Sequence, residues 1–300
     1  MTEHSSRWSR SNSFALIVAI YVVAIGAALA AASAVGIDRP FVALIAAYAA
    51  SVAVLYVPSQ LVGNGSTFDA WWSVVPPAVA IWFAFAAPNG NATRAVLLVT
   101  CAVLWGVRLT SNWAIGWTGL AHEDWRYRKL YADTPLPRWA TSLLAVHVAP
   151  MVFVTLGSLP MIPALVTGHR AFGVLDVVAT VVALIGVSLE QFADLDLRRF
   201  NRSKKPGDVL DQGLWSRSRH PNYLGEMMWW IGLWLFALAA DLGAWWTAIG
   251  PLTMIVMFLT ASIPLAEARS AERRPGWAEY AARTPKLLPR LSRSTRPTIR

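Results

Sequence analysis

The sequence predicts an all-α, polytopic integral membrane protein, a bundle of about eight transmembrane helices. Three observations predict it. Apolar residues fill 56% of the 300 positions and charged residues only 14%, where a soluble domain carries about a quarter charged. The apolar residues fall in runs close to the ~20 needed to cross the hydrocarbon of a bilayer. The cations gather on alternate connections between those runs, as the positive-inside rule requires.

In chain order the apolar runs lie at roughly 14–36, 40–62, 70–87, 94–117, 139–160, 172–194, 222–240 and 243–266. The first begins at Phe14 with no signal-peptide cleavage pattern and is long enough to stay as a span. The third is short and carries Pro76-Pro77, and the fifth carries Pro150. Alternating the connections puts 22 of the 26 Lys and Arg residues on one side, including Arg7, Arg10 and nine after residue 266. Arg39, Arg94 and Arg170 fall on the other side, and Arg108 lies inside a span. Both termini are therefore expected in the cytoplasm. The chain reads as a single transmembrane domain over 1–300, with a cytoplasmic loop at 195–221 and a cytoplasmic basic tail at 267–300. Its final stretch, RLSRSTRPTIR, suits anionic lipid. The net charge of +9 fits this topology better than nucleic-acid binding. The single Cys101 excludes an internal disulfide and a cysteine-rich metal site.

Polar side chains inside spans are costly and each needs a reason. Arg108 and Asn112 share one helix face. The arginine either pairs with a carboxylate to hold the bundle or contacts a ligand's phosphate with its permanent, forked charge. Glu190, Asp194 and Arg198 repeat every four residues along another helix. They form either a salt-bridge ladder worth a few tenths of a kcal/mol per pair or a polar stripe turned inward from lipid. Arg199, Arg202, Lys204 and Lys205 follow and make a candidate anion site.

The seventh run opens with SRHPNYLGE, residues 218–226. Pro221 suits a first helical turn, where its missing N–H costs nothing. His220 or Ser218 is placed near the cap. Free N–H groups and the helix dipole favour an anion there, and Arg217, Arg219 and His220 add positive charge. Asn222 and Glu226 lie one turn apart and point into the span. Upstream, Asp69 is either the N-cap of the third run or an intramembrane acid. His122, Glu123, Asp124 and Tyr127 mix histidine with carboxylates, a weak metal signal, and loop anchoring is the favoured reading. GNGSTF lacks the third glycine and the strand–helix setting of a dinucleotide fingerprint.

Several stretches carry a family resemblance: DQGLWSRSRHPNYLGEMMWW, FDAWWS, LWGVRLTSNWAIGW with HEDWRY, LEQFADLDL, and IPLAEARSAERRPGWAEYAARTPKLLPRL. The chain closely resembles bacterial membrane proteins described as steroid 5-alpha-reductase-like, a domain of unknown function. The resemblance implies a multi-pass protein of the bacterial plasma membrane. It also implies an NADPH-dependent reductase that acts on a carbon–carbon double bond in a steroid, isoprenoid or fatty enone. Its partners would be the lipid bilayer and a hydrophobic small-molecule substrate, with no nucleic acid. Asn222 and Glu226 match the N-x-x-G-E positions near the cofactor, Asp194 and Arg198 match polar positions on the preceding helix, and Arg108 matches a nucleotide-contacting arginine. Asn112, Arg219 and His220 complete the expected cofactor site, and residues 195–221 become its loop. Where steroid reductases carry a catalytic tyrosine, this chain carries Trp105, which donates a hydrogen bond but is no acid. The expected catalytic residues are then Asp69, Tyr223 and Glu226. The R-H-P-x-Y-x-G-like stretch and the Y…P-R-L-like tail are also similar to isoprenylcysteine carboxyl methyltransferases, which implies an S-adenosylmethionine-dependent alternative.

Overall fold

Hydropathy alone places long helices here, because a backbone in lipid must satisfy its own hydrogen bonds. The structure, a computed structural model, describes residues 9–87 and 90–289. Arg7 and the stretch 290–300 of the expected basic tail lie outside the described residues.

Eight helical segments are long and apolar enough to cross a membrane. The first four contain α1 (Arg10–Val35), α2 (Pro40–Val62), α3 (Trp71–Ala86) and α4 (Ala92–Gly116). A short α5 (Trp125–Asp133) follows. The fifth span, Arg138–Thr167, contains α6 (Arg138–Thr141) and α7 (Ala149–Ser158). The sixth is α8 (Val174–Ser203) and the seventh α9 (Pro221–Ala240). The eighth, Leu242–Arg273, contains α10 (Ile249–Met257) and α11 (Ile263–Arg273), and α12 (Trp277–Arg283) ends the described helices. No strand occurs among the described residues.

Proline shapes the interrupted spans. The fifth widens into a π-helical stretch at Ser142–Val148 just before Pro150, and the eighth at Phe258–Ser262 just before Pro264. A proline cannot donate to the carbonyl four residues back and its ring collides with it, so the preceding turn opens. Pro76 and Pro77 sit within α3 without ending it. There Gly106 of α4 makes room, since a Cβ on it would lie 2.7 Å from the Pro77 Cγ.

The described chain divides into two compact units. The first comprises Met1–Val181 and Trp230–Met254. Within it the Tyr48 and Ser158 hydroxyls lie 2.7 Å apart and the Trp71 indole donates to Ser51. Arg94, read from the sequence as a loop cation, is instead buried at 1% exposure against the equally buried Asp176, at 2.6 Å. It also donates to the carbonyls of Arg170, Ala171 and Ala239. Sequence counting missed this because one arginine beside a span end looks the same whether it faces water or a carboxylate.

The second unit comprises Val182–Trp229 and Ile255–Arg300. The loop expected over 195–221 begins as helix here, since α8 runs on to Ser203 and stops ahead of Pro206. A residue before proline avoids the helical conformation, so the chain turns there.

Candidate active site

Two glycines set the geometry of the second unit. A Cβ on Gly225 would lie 2.6 Å from the Gly186 carbonyl oxygen and 2.6 Å from the Glu190 Cγ. A Cβ on Gly186 would lie 2.7 Å from the Gly225 oxygen. Helices α8 and α9 therefore cross with their backbones nearly touching, the contact that small residues permit between membrane helices. Glu190 is one turn beyond Gly186 on α8, and Glu226 directly follows Gly225 on α9. Both are buried, Glu190 at 2% and Glu226 at 4% exposure, as is Asp194 at 5%. The stripe read from sequence is thus an inward one at Glu190 and Asp194. Arg198 is half-buried, while Arg199, Lys204 and Lys205 are exposed.

The start of α9 is capped by its own neighbours. The Ser218 hydroxyl accepts the His220 N–H at 3.2 Å, and the Asn222 side-chain oxygen accepts the Tyr223 N–H at 3.0 Å. Pro221 has no N–H, so among the described residues only the Asn222 N–H is left at this end without an acceptor. The free row of donors expected for an anion is therefore largely used up internally. The Asn222 amide oxygen, expected to face a ligand, is turned back on the chain.

Arg219 also has a different position from the one expected. Its Nε donates to Glu267 at 2.8 Å and its Nη1 to the carbonyls of Ala281 and Thr284. Its backbone N–H donates to the Pro285 carbonyl. The guanidinium fastens the α12 segment to the mouth of α9 and is not an open cation. His220 lies 3.0 Å from the same Glu267 oxygen and stacks on Tyr223, ring centroids 5.4 Å apart. Burial pulls the His220 pKa below its ordinary value, partly offset by the bond to Glu267, which favours the neutral ring. Tyr223 is half-buried and also packs against Phe258, ring centroids 5.0 Å apart. The loop is closed further by Tyr280 donating to the Trp215 carbonyl, the Trp215 indole donating to the Ala193 carbonyl, and an Arg283–Asp211 ion pair.

The remaining expected residues belong to the first unit. Asp69 is not the N-cap of α3, which is Ala70 with no side-chain bond; it ends the short 3-10 turn Gly65–Phe68 instead. Asp69 accepts the Tyr127 hydroxyl at 2.7 Å. Burial first, then the Asp69 charge, raises the Tyr127 pKa, so this phenol stays protonated. Arg108 is buried in α4 and Asn112, one turn on, is half-buried. Trp105 is fully buried, edge-on to Trp72 and Trp230 at 6.2 and 5.4 Å. The expected loop anchoring of 122–127 holds. Asp124 caps α5, Glu123 pairs with Arg138 at 2.9 Å, and the His122 carbonyl accepts from Asn64. Among the described residues, no group of three or more potential metal ligands comes together.

Sequence reasoning missed Glu267, the acid that both Arg219 and His220 share. Its one signal was a carboxylate at the end of an apolar run, and nothing local tied it to residues 219 and 220.

The profile of one protein family matches residues 55–284, most of the chain. The chain belongs to that family, DUF1295, described as a protein of unknown function. It is also similar to an uncharacterized protein of Schizosaccharomyces pombe (strain 972), 28% identical over 268 residues that cover 80% of this chain and 77% of the yeast protein. No solved structure matches.

Proposed function

We propose that this DUF1295 protein is a membrane-embedded, NADPH-dependent reductase of a carbon–carbon double bond in a lipid-like substrate. Both termini and the 195–221 loop would face the cytoplasm, as its 22 cations on one side indicate. The observation that carries the reading is the set of buried carboxylates Glu190, Asp194 and Glu226 in α8 and α9, with a cation-rich segment continuing from the same α8 stripe. Acids inside a membrane helix mark a functional interior.

The donor and acceptor set suits the cofactor. Arg198, Arg199, Lys204 and Lys205 match its phosphates. Asp194 and Glu226 are acceptors for ribose hydroxyls and a carboxamide N–H. Arg219 and His220 act one step back, by fixing the start of α9. The assignment of Arg108 and Asn112 to the cofactor rests on the steroid-reductase resemblance alone. When bound, NADPH supplies the hydride, and the protein supplies position and dryness. We assign the proton to Tyr223, which lies in the first turn of α9 beside His220. Asp69 serves as an acceptor for Tyr127, which makes it the weaker choice. Trp105, in the tyrosine position of steroid reductases, offers a substrate carbonyl no acid, which weighs against a steroid enone.

A second reading, an S-adenosylmethionine-dependent methyltransferase of the isoprenylcysteine carboxyl type, is favoured by the same buried acids. Carboxylates suit an ammonium and a sulfonium at least as well as a dinucleotide. Thermal stability of the purified full-length protein in detergent separates the two. Stabilisation by NADPH, lost in Glu226→Gln, supports the reductase. Stabilisation by S-adenosylmethionine alone overturns it.

A further inference from the structure

The first unit contains a cleft of about 290 Å³ lined by Ser59, Gln60, Tyr131, Arg138, Trp139 and Ser142, together with backbone at 63–65. Its position follows from the elements that line it. Ser59 and Gln60 lie in the last turn of the second span, Gly65 begins the third directly after Asn64, and Arg138 to Ser142 begin the fifth. Chain ends of three spans meet only at a membrane surface, so the cleft opens at the water–lipid boundary.

Its chemistry is mixed in a specific way. Arg138 lies over the Tyr131 ring, 4.4 Å from the centroid. Its Nη2 donates to the Gly63 carbonyl and to Glu123. Among the described residues its Nε and Nη1 are not used. The Gln60 amide donates to the Ser142 hydroxyl, and the Tyr131 phenol, whose pKa burial raises, has the Ser142 side chain as a hydrogen-bond partner. Trp139, which lines the cleft, is 59% exposed, and Leu61, the neighbour of Gln60 in sequence, is 83% exposed. These are surfaces for acyl chain and for an interfacial indole.

We propose that this cleft binds the phosphodiester of a phospholipid headgroup, with Arg138 as the anion ligand and Leu61 and Trp139 against the acyl chains. With Nη2 held by Glu123 and Gly63, the Nε–H and Nη1–H groups of Arg138 remain as single charged donors that suit phosphate oxygens. The volume admits a headgroup and leaves the chains outside. The site lies outside the α8–α9 carboxylates and does not depend on the reductase reading.

The test uses the full-length protein in a phosphate-free maltoside detergent. Thermal stability is followed on addition of a short-chain phosphatidylglycerol, the matching diacylglycerol, or inorganic phosphate. The expected result is stabilisation by the phospholipid, none by the diacylglycerol and little by phosphate. Arg138→Gln should raise the half-saturating lipid concentration about tenfold or more, the usual weight of a hydrogen bond to a charged group. Tyr131→Phe keeps the ring under Arg138 and removes one donor, and should raise it several-fold. That second variant decides the matter if Arg138→Gln does not fold. Equal stabilisation by diacylglycerol, or lipid responses unchanged from wild type in the variants that fold, overturns the proposal. Saturation by inorganic phosphate alone overturns the lipid assignment.

Discussion

Gly225 meets Glu190 with no space for a side chain, a Cβ on the glycine falling 2.6 Å from the glutamate Cγ. The glycine of the N-Y-L-G-E stretch is therefore a contact residue between α8 and α9. Gly225→Ala forces either the helices or Glu190 to move, and overpacking of this kind costs about 1–3 kcal/mol. The expected outcome is a lower melting temperature in detergent, with loss of ligand-induced stabilisation because Glu226 is the next residue. A variant as stable as wild type would mean that the crossing is looser than described.

Arg94 and Asp176 are both buried and share two hydrogen bonds. Removing one partner strands a charge, at a cost of about 3–5 kcal/mol. Asp176→Ala and Arg94→Met should each sharply lower thermal stability or folded yield. The double variant should recover part of the loss, since the isolated charge is then gone. A double variant no better than either single change would remove the pair as the cause.

His220 makes stability depend on pH with a definite sign. Its folded pKa lies below the ordinary 6.5, because burial outweighs the bond to Glu267, and Arg219 and Lys286 oppose protonation as well. Below 6.5 the unfolded chain takes up a proton that the folded one refuses. Stability is therefore lost as pH falls from 6.5 toward the folded pKa, and is constant above that window. The His220→Gln variant should show a smaller fall in melting temperature between pH 7 and about pH 5. The same fall in both proteins would assign it to other groups.

Glu267 holds Arg219 and His220 at once, at 2.8 and 3.0 Å. Glu267→Gln weakens both contacts, and Arg219→Ala removes two side-chain bonds to the C-terminal segment, at Ala281 and Thr284, besides the one to Glu267. Both variants should increase protease cleavage and amide exchange at 277–289 and weaken NADPH binding severalfold, by disordering the start of α9. Arg219→Ala should act on the segment even without cofactor, which a residue that only binds phosphate would not do.

Much of the fold was legible locally. Eight apolar runs gave eight candidate spans, because lipid leaves a long apolar segment little choice but a helix. The inward stripe of Glu190 and Asp194 followed from a four-residue period and the cost of an acid in lipid. The anchoring of 122–127 also came from local chemistry, with Asp124 next to a helix start. Other assignments needed partners remote in sequence. Asp69 looked like a cap and is bonded to Tyr127, 58 residues on. Arg219 looked like an open cation and is bonded to Glu267, 48 residues on.

The sequence by itself determined the membrane class, the span count and the helix faces, since hydropathy and helical period act within one segment. Only the tertiary structure decided that α8 and α9 touch at Gly186 and Gly225, that Arg94 is buried, and that the polar start of α9 is capped from within. Those outcomes depend on which distant atoms come within a few ångströms. No local pattern encodes such approaches, and they settle whether a charged residue serves a ligand or the fold.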